Sequence, residues 1–152
     1  MKPIIGIISR VEFDNKHNIS YTYTYESIRR MIIDMNGIPI ILTPVINADL
    51  YETHINEYNH TKEEDKTIDK YLEIVDGIFI PGGSKYTGFD VRIFEKAVKK
   101  NIPILGVCLG AQVLSNYKRE TKLEKINSSV NHNSNEKYAH SITINKNSIL
   151  YK

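Results

Sequence analysis

The 152-residue sequence predicts an α/β fold, a three-layer sandwich with helices on both faces of a mainly parallel sheet. Three observations carry this. Short apolar runs recur without polar alternation, as in strands buried on both faces. Segments with helical spacing separate them. Gly and Pro punctuate the ends of the runs, as at Asn36-Gly37 and Pro81-Gly82-Gly83.

The elements follow in order. Ile4–Ile8 is a continuous apolar run with one Gly inside it, a first strand. Residues 21–36 read as a helix with Tyr25, Ile28, Ile32 and Met35 on one face. Asn36-Gly37 ends it, since both residues tolerate the left-handed conformation of a helix stop. Ile38–Leu42 is a second strand, with Pro39 placed near its start. Thr61-x-x-Glu64 is a capping box for a helix carrying Ile68, Tyr71 and Leu72. Ile78-Phe79-Ile80 is a third strand, stopped by Pro81-Gly82-Gly83. Asp90 caps a helix whose buried face is Ile93, Phe94, Ala97 and Val98, and Lys99 and Lys100 suit its C-terminal dipole. Residues 103–107 form a fourth strand and residues 141–144 a fifth. The polar segments 46–66 and 118–138 read as surface connections. No internal repeat is visible.

Composition frames these elements as one domain over residues 1–152. A chain of this length buries roughly 68–70% of its unfolded surface, enough for a real core. The hydrophobic share is 41% and the charged share 25%, ordinary values for a soluble globular protein. A net charge of +2 is too mild to argue for nucleic acid. No apolar run is long enough to span a bilayer, and the apolar run near Met1 is too short for a signal peptide. A single Cys excludes an internal disulfide and suits a reducing compartment, so a cytoplasmic location is expected. A lone Cys with scattered His argues against zinc, and no cofactor is expected.

Gly106-Val107-Cys108-Leu109-Gly110 is the stretch richest in chemistry. It follows the fourth strand and opens a segment with helical spacing at Leu109, Val113, Leu114 and Tyr117. A nucleophile between two glycines at a strand-to-helix turn matches the elbow pattern of hydrolases. The turn is so tight that side chains at 106 and 110 would collide with neighbouring backbone. The sulfur then sits beside a helix N-terminus, which favours the thiolate. The Leu109 amide is free to stabilise an oxyanion. A buried structural cysteine is the alternative, since free Cys is among the most buried residue types. In parallel sheets, sites lie beyond the carboxyl ends of the strands, where both Pro81-Gly82-Gly83 and Cys108 fall.

Four segments in order carry a resemblance: residues 2–7 (Lys-Pro-Ile-Ile-Gly-Ile), 37–44 (Gly-Ile-Pro-Ile-Ile-Leu-Thr-Pro), 76–83 (Asp-Gly-Ile-Phe-Ile-Pro-Gly-Gly) and 103–112 (Pro-Ile-Leu-Gly-Val-Cys-Leu-Gly-Ala-Gln). Together they resemble the class I glutamine amidotransferase-like superfamily, and within it the gamma-glutamyl-gamma-aminobutyrate hydrolase branch. The resemblance covers residues 2–112 well and the rest weakly. It implies a flavodoxin-like sheet and a cysteine hydrolase acting on a gamma-glutamyl amide. Cys108 would be the nucleophile, passing through a thioester that water resolves. Leu109 and the Gly82-Gly83 turn would supply oxyanion amides, and Gln112 would help hold the glutamyl moiety. For Gly82-Gly83 an ordinary strand-ending turn is the alternative, and for Gln112 a helix-face residue facing solvent.

Departures from the family pattern shape the expectation. The superfamily's base is a His two residues before an acidic residue, and this chain contains no His-x-Glu or His-x-Asp. The loop after Gly83 is shorter than usual, and Lys118 to Lys125 replace a glycine-containing turn. The chain is therefore expected to be an amidotransferase-like domain lacking the family's C-terminal part, with hydrolysis impaired or absent. His17, His54 and His60 lie in polar loops and are expected to be solvated. His132 and His140 resemble histidines that the family carries there, which are not its base. Asp76 and Glu95 read as surface charges. The expected partner is a small gamma-glutamyl compound, with a chain supplying the missing half or a homo-oligomer as further candidates. A non-catalytic module binding a gamma-glutamyl ligand or a partner chain is the alternative function. A redox-reactive thiol protein fits less well, because Leu109 stands where such proteins commonly carry a His after the nucleophile.

Overall fold

The computed structural model describes residues 1–45, 61–83, 86–116 and 141–151. They divide into two compact units, Met1–Lys122 and Leu123–Lys152. In the first unit the elements are β1 (Ile4–Ile8), β2 (Arg10–Asp14), β3 (Ile19–Tyr23), α1 (Glu26–Asp34), β4 (Ile38–Leu42), α2 (Lys62–Ile74), β5 (Gly77–Ile80), α3 (Gly88–Lys99), β6 (Ile104–Gly106) and α4 (Leu109–Asn116). In the second, the described residues form a single 3-10 turn at Ile149–Tyr151.

The main sheet is wholly parallel, in the order β4-β1-β5-β6. Gly6 pairs with Ile40 on one side and Ile78 on the other, while Phe79 pairs with Ile7 and Leu105. The sheet therefore has the flavodoxin-like order that the sequence predicts. One apolar layer gathers Ile8, Leu42, Ile78 and Ile80 with Ile68 and Leu72 of α2 and Phe89, Ile93, Phe94 and Ala97 of α3. The other gathers Ile7 and Phe79 with Ile32 of α1, and Ile5 and Ile28 pack against it. Alternate residues of β1 thus serve opposite layers, as the period of two in a strand dictates.

Strand bounds agree closely with the sequence pattern, although β6 spans 104–106 rather than 103–107. The Thr61 cap is present, its hydroxyl accepting from the Glu64 amide at 3.1 Å. Because α2 starts at Lys62, the polar connection expected over 46–66 ends earlier; residues 46–60 and 118–138 lie outside the described residues.

Several expectations are corrected. Residues 21–36 are not one helix. β2 and β3 pair antiparallel, from Arg10 with Tyr23 to Asp14 with Ile19, and α1 begins only at Glu26. The alternation Ile19-Ser20-Tyr21-Thr22-Tyr23 suits a half-exposed strand, and it overlaps the helical spacing that follows. Met35 is exposed beyond the last turn of α1 instead of lying on its buried face. The cap of α3 is Thr87, with Asp90 at the third helical position of a reciprocal capping box, and Val98 is exposed. Residues 141–144 adopt no strand. Asp76 is an exposed charge before β5, as the sequence predicts; Ile4 N donates to its Oδ2 at 2.8 Å, and its own amide donates to Ile4 O at 2.8 Å. Among the described residues, no helix is long and apolar enough to cross a membrane.

Candidate functional site

The site forms where β5 and β6 release the chain at the carboxyl end of the sheet. The Val107 amide donates to Ile80 O at 3.0 Å, so the start of the elbow is tied to the end of β5. α4 then begins at Leu109 and packs through buried Leu109 and Val113. The two glycines answer to close approach. A Cβ at Gly106 would stand 2.6 Å from the carbonyl carbon and oxygen of Gly110, and one at Gly110 would stand 2.0 Å from Ile80 O. No side chain fits either place.

Cys108 sits at the apex with φ of 54°, in the left-handed region that a β-carbon disfavours. It is exposed, so the alternative of a buried structural cysteine is not what the fold contains. Non-glycine residues persist in this conformation only where their surroundings hold them, and such places cluster at functional sites. Here the Val107–Ile80 bond, the Gly110 amide donating to Val107 O at 3.0 Å and the Gln112 amide donating to Cys108 O at 3.1 Å do the holding.

Gly82 and Gly83 lie beside the thiol. A Cβ at Gly82 would be 3.2 Å from the Cβ and 3.6 Å from the Sγ of Cys108, and one at Gly83 would be 3.5 Å from Leu109 Cδ2. The amides of Gly82, Gly83 and Leu109 make no hydrogen bond among the described residues. Three of the residues singled out from sequence therefore meet at Cys108. Gln112 lies one turn into α4, exposed, and joins them through its backbone.

Of the five histidines only His17 is among the described residues, and it is turned to other use. Its Nδ1 lies 2.6 Å from Asp14 Oδ2 in the turn between β2 and β3, and the ring is exposed, as the sequence predicts. His54, His60, His132 and His140 lie outside the described residues. Glu95 is a partly exposed charge on α3, to which Arg92 Nη1 donates at 3.2 Å.

Sequence reasoning missed Arg10. Its guanidinium is buried behind the Gly82 turn, with Nε donating to Gly82 O at 2.9 Å, Nη2 donating to Pro81 O, and Nη1 donating to Asp90 Oδ1 at 2.6 Å. The only sequence signal was a charged residue two positions after an apolar strand, which by itself reads as the start of a solvated loop.

Comparison with known proteins agrees with this fold. The glutamine amidotransferase class-I family matches residues 41–150. A glutamine amidotransferase-like protein of Rickettsia prowazekii (strain Madrid E) is 30% identical over 166 aligned residues, covering 91% of this chain and 51% of its own length. The CTP synthase of Caldanaerobacter subterraneus subsp. tengcongensis is 41% identical over 61 residues, 39% of this chain and 11% of the enzyme. That of Prochlorococcus marinus subsp. pastoris is 45% identical over 51 residues, 32% of this chain and 10% of the enzyme. The chain thus spans about half the length of the rickettsial relative and about a tenth of the synthases. With a parallel sheet in flavodoxin-like order and a match over most of its length, the chain belongs to the class I glutamine amidotransferase family.

Proposed function

We propose that this chain carries the nucleophile half of a gamma-glutamyl amide hydrolysis, with Cys108 attacking the amide carbon. The observation that supports it is the exposed, left-handed Cys108 set beside three amides that make no hydrogen bond among the described residues, those of Gly82, Gly83 and Leu109. The substrate would be a small gamma-glutamyl compound, as in the gamma-glutamyl-gamma-aminobutyrate hydrolase branch that the motifs resemble.

The Cys108 thiolate forms an S–C bond to the amide carbon, and the carbonyl π pair moves onto oxygen. The amides of Leu109 and of the Gly-Gly turn stabilise that oxyanion, where losing one donor typically costs about 10²–10³-fold in rate. The pair returns, the C–N bond breaks, and the leaving amine takes up a proton. Water then adds to the thioester, and as its two protons are lost the C–S bond breaks, releasing the carboxylate and the thiolate. Gln112, one turn into α4, is assigned to help hold the glutamyl portion.

Protonating the amine and activating water call for an acid and a base, help worth about 10²–10⁴-fold at such steps. The 152 residues hold no His-x-Glu, and among the described residues the one histidine, His17, lies against Asp14. We therefore assign acylation to this chain and expect the 152 residues alone to turn over poorly. The test is L-glutamyl-γ-(4-nitroanilide) against the purified chain. A single burst of nitroaniline matching the thiol content, absent in Cys108→Ser, is expected. No burst overturns the reading, and sustained turnover lost in Cys108→Ser overturns the expectation of poor turnover. A chain that binds gamma-glutamyl compounds without any burst is the non-catalytic alternative.

A further inference from the structure

We infer that Arg10 is a positioning residue for the oxyanion amides, locked by Asp90; this rests on the reading of Cys108 as the nucleophile. In a trans peptide the C=O and the following N–H point in opposite directions from one plane. Pro81 O belongs to the same plane as the Gly82 N–H, and Gly82 O to the same plane as the Gly83 N–H. Arg10 binds both carbonyls, with Nη2 on Pro81 O and Nε on Gly82 O at 2.9 Å. Fixing those two oxygens toward the guanidinium turns both amides away from it. They are the two amides of the turn that make no hydrogen bond among the described residues, and the turn lies beside Cys108.

The guanidinium is itself held. Arg10 is 4% exposed and Asp90 1%, with 2.6 Å between Nη1 and Oδ1. The other carboxylate oxygen accepts from the Thr87 amide at 2.8 Å and the Thr87 hydroxyl at 2.7 Å. A planar, always-charged fork therefore joins three elements: the chain leaving β1, the turn leaving β5 and the first turn of α3. Glycine in a Gly-Gly turn is otherwise free to rotate its peptide planes. Arg10 removes that freedom without touching substrate. Lysine is no substitute, because one ammonium cannot reproduce two diverging N–H bonds and a third to Asp90.

The experiment compares wild type with Arg10→Lys, and with Arg10→Met combined with Asp90→Asn, which leaves no unpaired buried charge. Two rates are read on each folded protein. One is acylation by saturating L-glutamyl-γ-(4-nitroanilide), which passes through an oxyanion. The other is alkylation of Cys108 by iodoacetamide, which does not. Acylation is expected to fall about 10–100-fold, the scale of a misplaced oxyanion donor, while alkylation stays near wild type. The amide resonances of Gly82 and Gly83 should shift, with those of Ile7 and Ile78 unmoved. Acylation unchanged, or both rates falling together, overturns the inference. If wild type shows no burst, the hydrolase reading falls on its own. Arg10 is then judged by the glycine resonances, and their constancy in either folded variant overturns it.

Discussion

The carbonyl oxygen of Ile80 occupies the space that any side chain at Gly110 would need, 2.0 Å from where its β-carbon would stand. The strand β5 and the helix α4 meet there without a side chain between them. The obstacle is backbone, so it cannot rotate aside. Gly110→Ala is expected to destabilise by about 1–3 kcal/mol or more, as overpacking of a close contact does. Urea unfolding would show it as a lower midpoint at unchanged slope. A wild-type midpoint would mean that the elbow is not seated on β5.

Cys108→Gly should behave in the opposite way. A left-handed conformation costs a non-glycine residue roughly 1–2 kcal/mol, whereas glycine adds roughly 0.5–1 kcal/mol of unfolded-state entropy. With φ at 54° the two nearly cancel or favour glycine. The variant should unfold at or above the wild-type urea midpoint while losing all reaction with iodoacetamide. In wild type, the exposed thiol at the amino end of α4 should alkylate faster than free cysteine at neutral pH. A clear drop in the midpoint of Cys108→Gly would refute a strained elbow.

The pairing of α2 with α3 sets an acid sensitivity. Arg92 grips Asp65 through Nε to Oδ1 at 2.7 Å and Nη2 to Oδ2 at 2.6 Å, and Lys96 Nζ donates to Asp69 Oδ2 at 2.8 Å. The Lys96 hydrogen bond holds the Asp69 carboxyl below its ordinary range. The unfolded chain then takes up a proton at Asp69 at higher pH than the folded one. The contribution is present above about pH 4, the unfolded value, and fades as pH falls through the lower folded value. Asp69→Asn should lower stability at pH 7 by no more than the about 0.2–1 kcal/mol of exposed pairs. Its stability should fall less steeply than that of wild type below pH 4. Parallel acid profiles would rule the pairing out.

The hairpin sets an alkaline one. Tyr23 and Tyr25 meet edge to face at 5.6 Å, and a hydrogen bond to Tyr25, then burial, pushes Tyr23 up to about 12. The unfolded chain ionises this phenol near pH 10, so its contribution is intact below pH 10 and is lost as pH rises toward 12. Tyr25→Phe should return one phenol to the ordinary range in an ultraviolet titration. An unchanged titration curve would dismiss the contact.

The division between what sequence revealed and what it hid has a physical basis. β1, β4, β5 and β6 were legible because buried parallel strands must be continuously apolar, and each run was bounded by Gly, Pro or Asn. The elbow was legible because Gly106 and Gly110 answer a local clash, written within five residues. The hairpin was hidden because the period of two in Ile19–Tyr23 ran into the helical spacing around Ile28 and Ile32. Residues 141–144 look like a strand by composition, but composition names no partner for them. Arg10 was hidden most deeply. Its partners Pro81, Gly82 and Asp90 lie 71 to 80 positions away, and only the fold brings a charge into that place.

The reciprocal pair of Ile4 and Asp76 closes the end of the sheet remote from Cys108. A five-residue strand spans about 16 Å, so the anchoring end and the chemical end of the sheet are about that far apart. The two ends are thereby separable in the workshop sense. A fluorophore, affinity handle or surface tether fixed near Ile4 would sit clear of the thiol, leaving Cys108 free to report on its own chemistry.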